Sequence, residues 1–460
     1  MLLVNPSSNF RGAFVCRAVA ALFCALTASG VMAAQPAAGA SPQGWVVAIG
    51  GALQADNAAV WSRLVETAGG KGSRWVVLPT ASEVPEQSGR TIVETLQRYG
   101  AVAEVIPLSA RIAGRDVTKD VRDADLIARI AQSRGVFFTG GAQGRITDAL
   151  LVDGKPTPML DAINDVLRKG GVIAGSSAGA AVMPRVMIRD IPDQLKVMRD
   201  GLTMGRDIDR GLAFVGNELF VDQHCVKRGR IGRMLMAMAL QRYAIGVCVE
   251  ENTAAFIRDG LMEAVGAAHL VVVDLRDAVV ERAPPLQIKG GVLHAIGRGD
   301  QYDLRTYRVI VPTSKAGRKI DPASRDFAPY YGAVPFYADM LGDRTIVNAM
   351  STLLDSHERE AKGLAFRLTN ATDVKGRTGF EFRLTKRAGT YGYAPKSGEG
   401  ADYSVIGIGL DVLPVIMSSP LYVPVAIPPG VAPAAARAAK AGENTDSNAT
   451  PVAGQVEKTK

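Results

Sequence analysis

Two adjacent serines lie in a run of small residues, and their setting indicates a nucleophile. The stretch GVIAGSSAGAAVMP (171–184) places Ser176 and Ser177 directly after a short apolar segment. Its centre, GSSAG, fits G-x-S-x-G, a pattern in which a sharp strand-to-helix turn exposes the hydroxyl of the central serine. Large neighbours would collide with the adjoining strand and helix, which explains the small residues. The alternative is an ordinary helix start in which one of the two serines is an N-cap.

A nucleophilic serine needs a base, and the chain offers four histidines. His269 and His294 lie in apolar, strand-like contexts, and His357 lies in a charged, helix-like segment. His224 lies instead in the polar segment FVDQHCVKRGRIGRM (220–234), which is rich in arginine. Core packing does not explain that setting, so we predict His224 as the general base for Ser177.

Four segments in order resemble those of the peptidase E and cyanophycinase family of serine peptidases, over about residues 44–280. The family's serine segment, Gly-Thr-Ser-Ala-Gly-Ala, is matched by GSSAGA from position 175. Its Phe-Thr-Gly-Gly-x-Gln segment is matched at 138–143, where Ala142 replaces the usual Asp or Asn. Its Asp-Glu-x-Thr-Ala segment is matched by EENTA, with Glu250 where Asp is usual and Glu251 in the position of the triad acid.

The histidine segment points to the cyanophycinases within that family. Their Asp-Gln-His followed by spaced arginines and Gly-Arg is matched by Asp222, Gln223, His224, Arg228, Arg230, Gly232 and Arg233. The resemblance implies that Ser177 attacks a peptide carbonyl, His224 transfers the proton and Glu251 orients the imidazole. Backbone N–H groups of Gly141 and Ala178 are the expected oxyanion donors.

The resemblance implies a particular substrate, cyanophycin, which is a poly-aspartate backbone with an arginine on each β-carboxyl. It would be hydrolysed through an acyl-enzyme to β-Asp-Arg dipeptides. Such a ligand presents carboxylates and guanidinium groups, so its site must hold charges of both signs. The predicted binding residues are Gln143, Asp222, Gln223, Arg228, Arg230 and Arg233. The alternative for the arginines is a solvated helix face with local charge pairs.

No cofactor is predicted, and the sequence shows no His, Cys and Asp cluster with the spacing of metal ligands. Three other functions stay open. One is a peptidase E-like dipeptidase acting on aspartyl or isoaspartyl peptides, and another is a non-catalytic protein that binds the polymer. The third is a protein like the glutamine amidotransferases, whose nucleophile is cysteine, although neither Cys225 nor Cys248 lies at a strand-to-helix turn.

Short apolar runs alternate with amphipathic segments from Gly44 onward, as in GWVVAIGGA, SRWVVLPTAS and GRTIVETLQRYGA. This pattern predicts an α/β fold with a doubly wound, mostly parallel sheet, similar to that of the class I glutamine amidotransferases. We place this catalytic domain at 40–285. Residues 290–426 are expected to form an appended, mainly β region, and 427–460 an Ala/Pro-rich and polar disordered tail. The appended region is expected to shape the substrate groove, bind substrate granules or form a homodimer interface.

The first 33 residues have the features of an export signal. Arg11 and Arg17 precede an apolar stretch that ends at Val31-Met32-Ala33, with small residues at the cleavage positions. The alternative, a membrane anchor, needs about 20 apolar residues. Cleavage would leave a secreted or periplasmic chain without stable membrane insertion, and would lower the net charge from +8 to +6 by removing two arginines. That charge gives no reason to expect a nucleic-acid partner. Cys225 and Cys248 would remain, either bonded to each other or as buried thiols.

Overall fold

The computed structural model describes residues 44–191, 193–367, 376–396, 403–418, 420–423 and 425. The predicted export signal (1–33) and the predicted tail (427–460) lie outside the described residues. Within the described residues, no helix is both long enough and apolar enough to cross a membrane.

Strands and helices alternate through the amino-terminal half of the described chain. In order, its elements are β1 (Trp45–Ile49), α1 (Ala58–Thr67), β2 (Arg74–Leu78), α2 (Pro85–Arg98), β3 (Val102–Val105), α3 (Val117–Asp120), α4 (Ala124–Ala131), β4 (Gly135–Phe138), α5 (Gln143–Leu150), β5 (Leu151–Val152), β6 (Lys155–Pro156), α6 (Pro158–Arg168), β7 (Val172–Ser176), α7 (Ala178–Ala181), β8 (Val186–Ile188), α8 (Gln194–Asp200), β9 (Ile208–Arg210), β10 (Leu219–Gln223) and α9 (Ile231–Gln241).

The rest of the described chain is mostly β-strand, with one short 3-10 helix (Thr313–Arg318). Its other elements are β11 (Ile245–Val249), β12 (Thr253–Arg258), β13 (Leu261–Gly266), β14 (Leu270–Asp274), β15 (Val279–Glu281), β16 (Gln287–Ile296), β17 (Gln301–Asp303), β18 (Arg308–Ile310), β19 (Lys319–Ile320), α10 (Thr345–Leu354), β20 (Glu360–Ala365), β21 (Thr378–Tyr393) and β22 (Ser404–Ile416).

A nine-stranded sheet in the order β18-β17-β13-β12-β1-β7-β4-β2-β3 carries the serine. The five strands from β1 to β3 in this order are parallel, and the other four are antiparallel. Apolar side chains of the parallel strands are buried on both faces, against α1 and α2 on one side and α4, α5 and α6 on the other. The predicted doubly wound α/β fold is confirmed, although the sheet is mixed because β12, β13, β17 and β18 extend it as antiparallel hairpins.

A second sheet carries the histidine, in the order β10-β11-β14-β16-β22-β21-β19. Only β10 and β11 are parallel along this path, and β15 and β20 add to it through β16 and β21. The predicted appended region is mainly β, as expected. Apart from β17 and β18, which extend the first sheet, its strands continue the sheet begun by β10, β11 and β14 and share one apolar core with them. Strands on both sides of residues 285–290 therefore belong to one sheet.

Candidate active site

Ser177 lies at a strained turn between β7 and α7. Its backbone angles, φ of 54° and ψ of −109°, are values that residues other than glycine rarely adopt. The predicted need for small neighbours is visible at this turn, because a Cβ on Gly175 would lie 2.3 Å from the carbonyl oxygen of Gly179, and one on Gly179 would lie 2.4 Å from that of Phe138. The turn holds the Ser177 hydroxyl beside the carboxyl ends of the parallel strands.

The structure brings Ser177, His224 and Glu251 together in one hydrogen-bonded chain. Nε2 of His224 lies 2.9 Å from Oγ of Ser177, and Nδ1 lies 2.6 Å from Oε1 of Glu251. His224 is buried, at 4% exposed. An imidazole that donates through Nδ1 to a carboxylate presents a lone pair on Nε2 to the hydroxyl, which is the arrangement that activates a serine.

The end of β1 fixes all three loops that carry these side chains. The carbonyl groups of its last residue and of the two glycines that follow accept N–H groups in succession. Ile49 accepts from Ser177 at 2.9 Å, Gly50 from His224 at 3.0 Å, and Gly51 from Asn252 at 2.8 Å. Asn252 directly follows Glu251. From the sequence, GWVVAIGGA is only a strand with a glycine turn, so the part that this segment plays in aligning the site was not predicted.

Gly51 also leaves the space that the imidazole occupies. A Cβ at this position would lie 2.2 Å from both Cε1 and Nε2 of His224. The backbone φ of Gly51, +106°, is also unfavourable for every residue other than glycine. Nε2 is the atom that reaches Ser177. Only glycine therefore allows the ring to reach the hydroxyl from this turn.

Glu250, which the sequence marks only as a Glu where Asp is usual, ties the histidine turn to the triad acid. Oε2 of Glu250 accepts the N–H groups of Val226 at 2.7 Å and Lys227 at 3.0 Å, and Oε1 accepts that of Glu251 at 2.9 Å. Burial raises the pKa of the Glu250 carboxyl, against the effect of these three donors. The Glu250 side chain therefore holds the loop after His224 next to the loop that carries Glu251.

A disulfide between Cys225 and Cys248 makes a second tie, with 5.4 Å between the two Cα atoms. Cys225 directly follows His224, and Cys248 lies in β11, the strand that leads to Glu250 and Glu251. The sequence left these cysteines as either bonded or free. The structure pairs them, and the bond fastens the histidine turn to the neighbouring strand.

Reduction of this disulfide is expected to lower the free energy of unfolding by about 3 kcal/mol. The two cysteines are separated by 23 positions, so the bond removes the closure entropy of a loop of that size from the unfolded chain. Chemical denaturation with and without reductant measures the difference. A Cys225→Ser/Cys248→Ser variant serves as the control, because it should not respond to reductant. Equal stability of the wild type in both conditions would contradict the prediction.

The imidazole is held in a state suited to a base. Burial lowers the pKa of His224 most, and the positive charges of Arg228 and Arg230 lower it further, whereas Glu251 opposes them. A lowered pKa keeps the ring neutral at neutral pH, so that Nε2 is free to accept a proton.

Gly140 brings backbone close to the serine, because a Cβ at this position would lie 3.2 Å from Cβ of Ser177. Gly141 follows it with a φ of +141°, and a Cβ there would lie 2.0 Å from the carbonyl oxygen of Ala81. Ala178 is the first residue of α7, so its N–H has no acceptor within the helix. The two predicted oxyanion donors, Gly141 and Ala178, thus directly follow Gly140 and Ser177 in the chain.

Three of the predicted binding residues, Gln143, Arg230 and Arg233, line a cavity of about 480 Å³ that also includes Gly141. The cavity holds charges of both signs, as the sequence predicted. Its other charged residues are Glu83, Arg145, Asp148, Arg189 and Asp190. The Gln143 amide donates to the carbonyl groups of Ile188 at 2.9 Å and Arg189 at 2.7 Å, so it shapes the wall of this cavity.

The predicted direct contact of Asp222 with substrate needs correction. Both oxygens of Asp222 accept from Arg233, at 2.8 and 2.6 Å, and the two residues are only 1% and 2% exposed. A carboxylate that is 1% exposed and bidentate to a buried arginine is not accessible to a ligand. Asp222 instead compensates the charge of Arg233 behind the cavity.

Gln223 has a similar supporting position, because its side-chain oxygen and its carbonyl group both accept from Arg230, at 2.7 and 3.1 Å. Burial, and next the charge of Arg233, lower the pKa of Arg230 to about 10. Arg228 lies outside the cavity lining, half exposed, with Nε 3.8 Å from Oε1 of Glu251. The arginines therefore do not form the single solvated helix face that was the alternative.

Comparisons with known proteins agree with the geometry. The sequence profile of peptidase family S51 matches residues 46–265. A cyanophycinase of Synechococcus elongatus is 31% identical over 281 residues, which is 58% of this chain and 81% of that protein. A cyanophycinase of Geminocystis herdmanii (strain PCC 6308) is 30% identical over 278 residues, covering 57% of this chain and 94% of its own.

A solved structure, that of a peptidase from an acI-B1 actinobacterium, overlaps 54% of this chain and 94% of its own, with 20% identity and a TM-score of 0.40. The family profile covers the segments in which Ser177, His224 and Glu251 lie, and the chain spans most of the length of the relatives at about 30% identity. The chain therefore belongs to peptidase family S51, the family of peptidase E and the cyanophycinases, and is a serine-type peptidase.

Proposed function

We propose that this chain is an exported exopeptidase that hydrolyses cyanophycin to β-Asp-Arg dipeptides through an acyl-enzyme. The observation that carries the proposal is the hydrogen-bonded chain of Ser177, His224 and Glu251 next to a cavity with charges of both signs. The relatives named cyanophycinase support the choice of substrate.

In the first half of the reaction, Oγ of Ser177 attacks the scissile carbonyl carbon while Nε2 of His224 takes the hydroxyl proton. Glu251 stabilises the resulting imidazolium through Nδ1. The oxyanion is bound by the N–H groups of Gly141 and Ala178, and loss of one such donor costs about 3–4 kcal/mol in the transition state. When the C–N bond breaks, His224 gives its proton to the leaving amine, and an acyl ester remains on Ser177.

In the second half, water attacks the ester carbonyl carbon and His224 takes the proton of that water. The same two N–H groups bind the second oxyanion. Collapse of this intermediate breaks the bond to Oγ of Ser177, which regains its proton from His224. The product leaves with a new carboxylate. Every proton is returned, so the cycle needs no cofactor.

The cavity beside Ser177 supports recognition of a ligand that carries carboxylates and guanidinium groups. Arg230 offers a planar donor group to carboxylates, and the cavity's acidic residues offer acceptors to guanidinium groups. Arg233 is paired with Asp222 and adds positive charge behind this wall. Asp222 and Gln223 hold the two arginines in place. A peptide that bears only apolar side chains would make no charge-assisted hydrogen bond in this cavity.

Activity is expected to persist below the pH at which an ordinary histidine becomes protonated, because the pKa of His224 is lowered. The base must be neutral, so kcat/KM falls as pH drops through this pKa. Removing the positive charge of Arg228 by Arg228→Gln should raise the pKa and move the acidic limb of the kcat/KM profile to higher pH. Lys227→Gln is the matched control, because Lys227 is not among the charges that lower this pKa. An acidic limb at the same pH in both variants would contradict the assignment of the base.

Mass spectrometry of the products tests the proposed function. Wild-type protein incubated with insoluble cyanophycin should release a dipeptide with the mass of Asp plus Arg minus one water, and Ser177→Ala protein should not. Parallel assays with aspartyl and isoaspartyl dipeptides separate this function from a peptidase E-like one. Hydrolysis of those dipeptides with no release from cyanophycin would overturn the proposal.

The disulfide between Cys225 and Cys248 supports the export that the first 33 residues predict, since such bonds persist mainly in oxidising compartments. Fractionation of cells that produce the full chain tests this part of the proposal. Mature protein that begins near residue 34 is expected in the periplasm or the medium. Uncleaved protein confined to the cytoplasm would contradict it.

A further inference from the structure

A second charged cavity, of about 710 Å³, lies where β19 and β21 end the second sheet. We propose that this β21 groove is a separate binding site for the same polymer, and that it takes carboxylates on Arg359 and Arg387 and a guanidinium group on Glu358. The proposal rests on the proposed function for the identity of the polymer. The residues that define the groove are Lys319, His357, Glu358, Arg359, Arg387 and Tyr391.

The groove contains charges that the protein itself does not pair. Lys319 bonds to Asp321 at 2.8 Å, and the Lys386 ammonium donates to the carbonyl group of Ser356. Arg359, Arg387 and Glu358 are exposed and make no side-chain ion pair or hydrogen bond with the described residues. Two guanidinium groups in one cavity provide the planar, bidentate donors that carboxylates prefer.

An irregularity in β21 gives Arg387 its position. The register between β21 and β22 shifts between Lys386 and Tyr391, so residues 387–390 form a bulge. The bulge is fastened internally, because Oγ1 of Thr390 accepts the N–H of Arg387 at 2.8 Å and donates to the carbonyl group of Gly407 at 2.7 Å. Bulges of this kind redirect side chains and are typical of functional edges of sheets. In a regular strand, residue 387 would pair with β22 as its neighbours in β21 do.

Two rings line the same groove, those of His357 and Tyr391, and each packs against a further aromatic ring. Tyr391 packs edge-on against Tyr393 at 6.0 Å, and Phe327 packs against His357 at 5.9 Å. Tyr330 is 81% exposed, and its N–H donates to Asp355 at 3.0 Å, two residues before His357. Aromatic faces attract cations, and the Tyr391 ring already has Nζ of Lys319 5.4 Å from its centroid. Glu358 therefore remains as the acceptor for a guanidinium group, whereas the two free arginines attract carboxylates. The groove therefore matches a ligand in which these two groups alternate at short intervals.

The groove and the catalytic serine are too far apart for a short peptide to reach both. His224 follows β10 at one edge of the second sheet, and β21 lies five strands away. At about 4.8 Å per strand, this separation is about 24 Å, which an extended chain covers with about seven residues. Occupation of the groove should therefore favour long polymers and leave short peptides unaffected.

Binding can be measured without turnover in a Ser177→Ala background. We expect Arg359→Ala/Arg387→Ala to weaken co-sedimentation with insoluble cyanophycin about tenfold, the effect of losing two exposed charge contacts. Arg308→Ala, which removes an exposed arginine on β18 in the other sheet, is the matched control and should bind as the parent does. Soluble poly-L-aspartate is the second probe, and it should compete for the groove through its carboxylates alone. Equal sedimentation of the double variant and the Arg308→Ala control would overturn the proposal.

Kinetics with the serine intact separates this proposal from the proposed function. The double variant should show about a tenfold higher KM for long cyanophycin, an unchanged kcat, and an unchanged KM for oligomers of fewer than about seven aspartyl residues. An equal rise in KM for short and long substrates would place the two arginines at the active site and overturn the inference. If the wild type failed to hydrolyse cyanophycin, the proposed function would fail. The sedimentation result would still decide whether the groove binds the polymer.

Discussion

Ser177→Ala is expected to lower kcat on the order of 10⁵- to 10⁶-fold, the largest effect expected of any single substitution in this protein. The hydroxyl forms the acyl bond, and Oγ lies 2.9 Å from the base. The other residues of the turn are glycine and alanine apart from Ser176, and only the hydroxyl of Ser177 is hydrogen-bonded to His224. Initial rates on cyanophycin, measured as release of dipeptide, give the ratio.

Ser176→Ala is the matched control for this prediction. Ser176 ends β7 and lines a neighbouring cavity of about 340 Å³, so its hydroxyl does not take part in the hydrogen-bonded chain. The control should keep kcat within a few-fold of the wild type, and an organophosphonate should label it at Ser177. Labelling requires an activated hydroxyl, so it also excludes a decayed, non-catalytic site. If Ser177→Ala kept wild-type turnover, the assignment of the nucleophile would be wrong.

Gly51→Ala is expected to lower kcat about 10²-fold or more, although Gly51 takes no part in the chemistry. The new Cβ would lie 2.2 Å from Nε2 of His224, where an ordinary contact is about 3.5 Å, so the ring has to move by more than 1 Å. Misplacement of a catalytic group by about 1 Å costs on the order of 10²-fold in rate. The pH profile of the residual activity should also change, because the ring would leave its hydrogen bond with Glu251.

Gly69→Ala separates this collision from backbone strain. Gly69 has a φ of +110°, close to the +106° of Gly51, but nothing lies within 4 Å of its Cβ position. Both variants should lose about 1–2 kcal/mol of stability from the strained backbone, and only Gly51→Ala should lose activity. Equal kcat values for the two variants would show that the imidazole does not depend on the space at Gly51.

The reacting groups could be found in the sequence because their chemistry depends on residue type and local order. A serine among small residues, a histidine in a polar segment and a carboxylate after a strand each leave a local pattern. The partners of the binding residues were harder to predict, because a sequence does not reveal which carboxylate neutralises which arginine. Asp222 looked like a ligand-binding group, and the fold uses it to balance the buried charge of Arg233.

The residues that align the site were missed for a related reason. The carbonyl groups of Ile49, Gly50 and Gly51 act through the backbone, and any strand end has carbonyl groups. Glu250 differs from Asp by one methylene group, and its three N–H donors come from two loops. Such contacts depend on the distance between segments that are far apart in the chain.

The amino-acid sequence by itself determined the α/β class, the family and the prediction of Ser177, His224 and Glu251 as the reacting side chains, since periodicity and short motifs are local properties. Only the tertiary structure decided how these side chains are held. It joined Cys225 to Cys248, set the glycine turn of β1 against the imidazole and extended one sheet across the predicted boundary at 285–290. The physical reason is that hydrogen bonds, steric exclusion and strand pairing act across space, between residues whose separation along the chain contains no information about their contact.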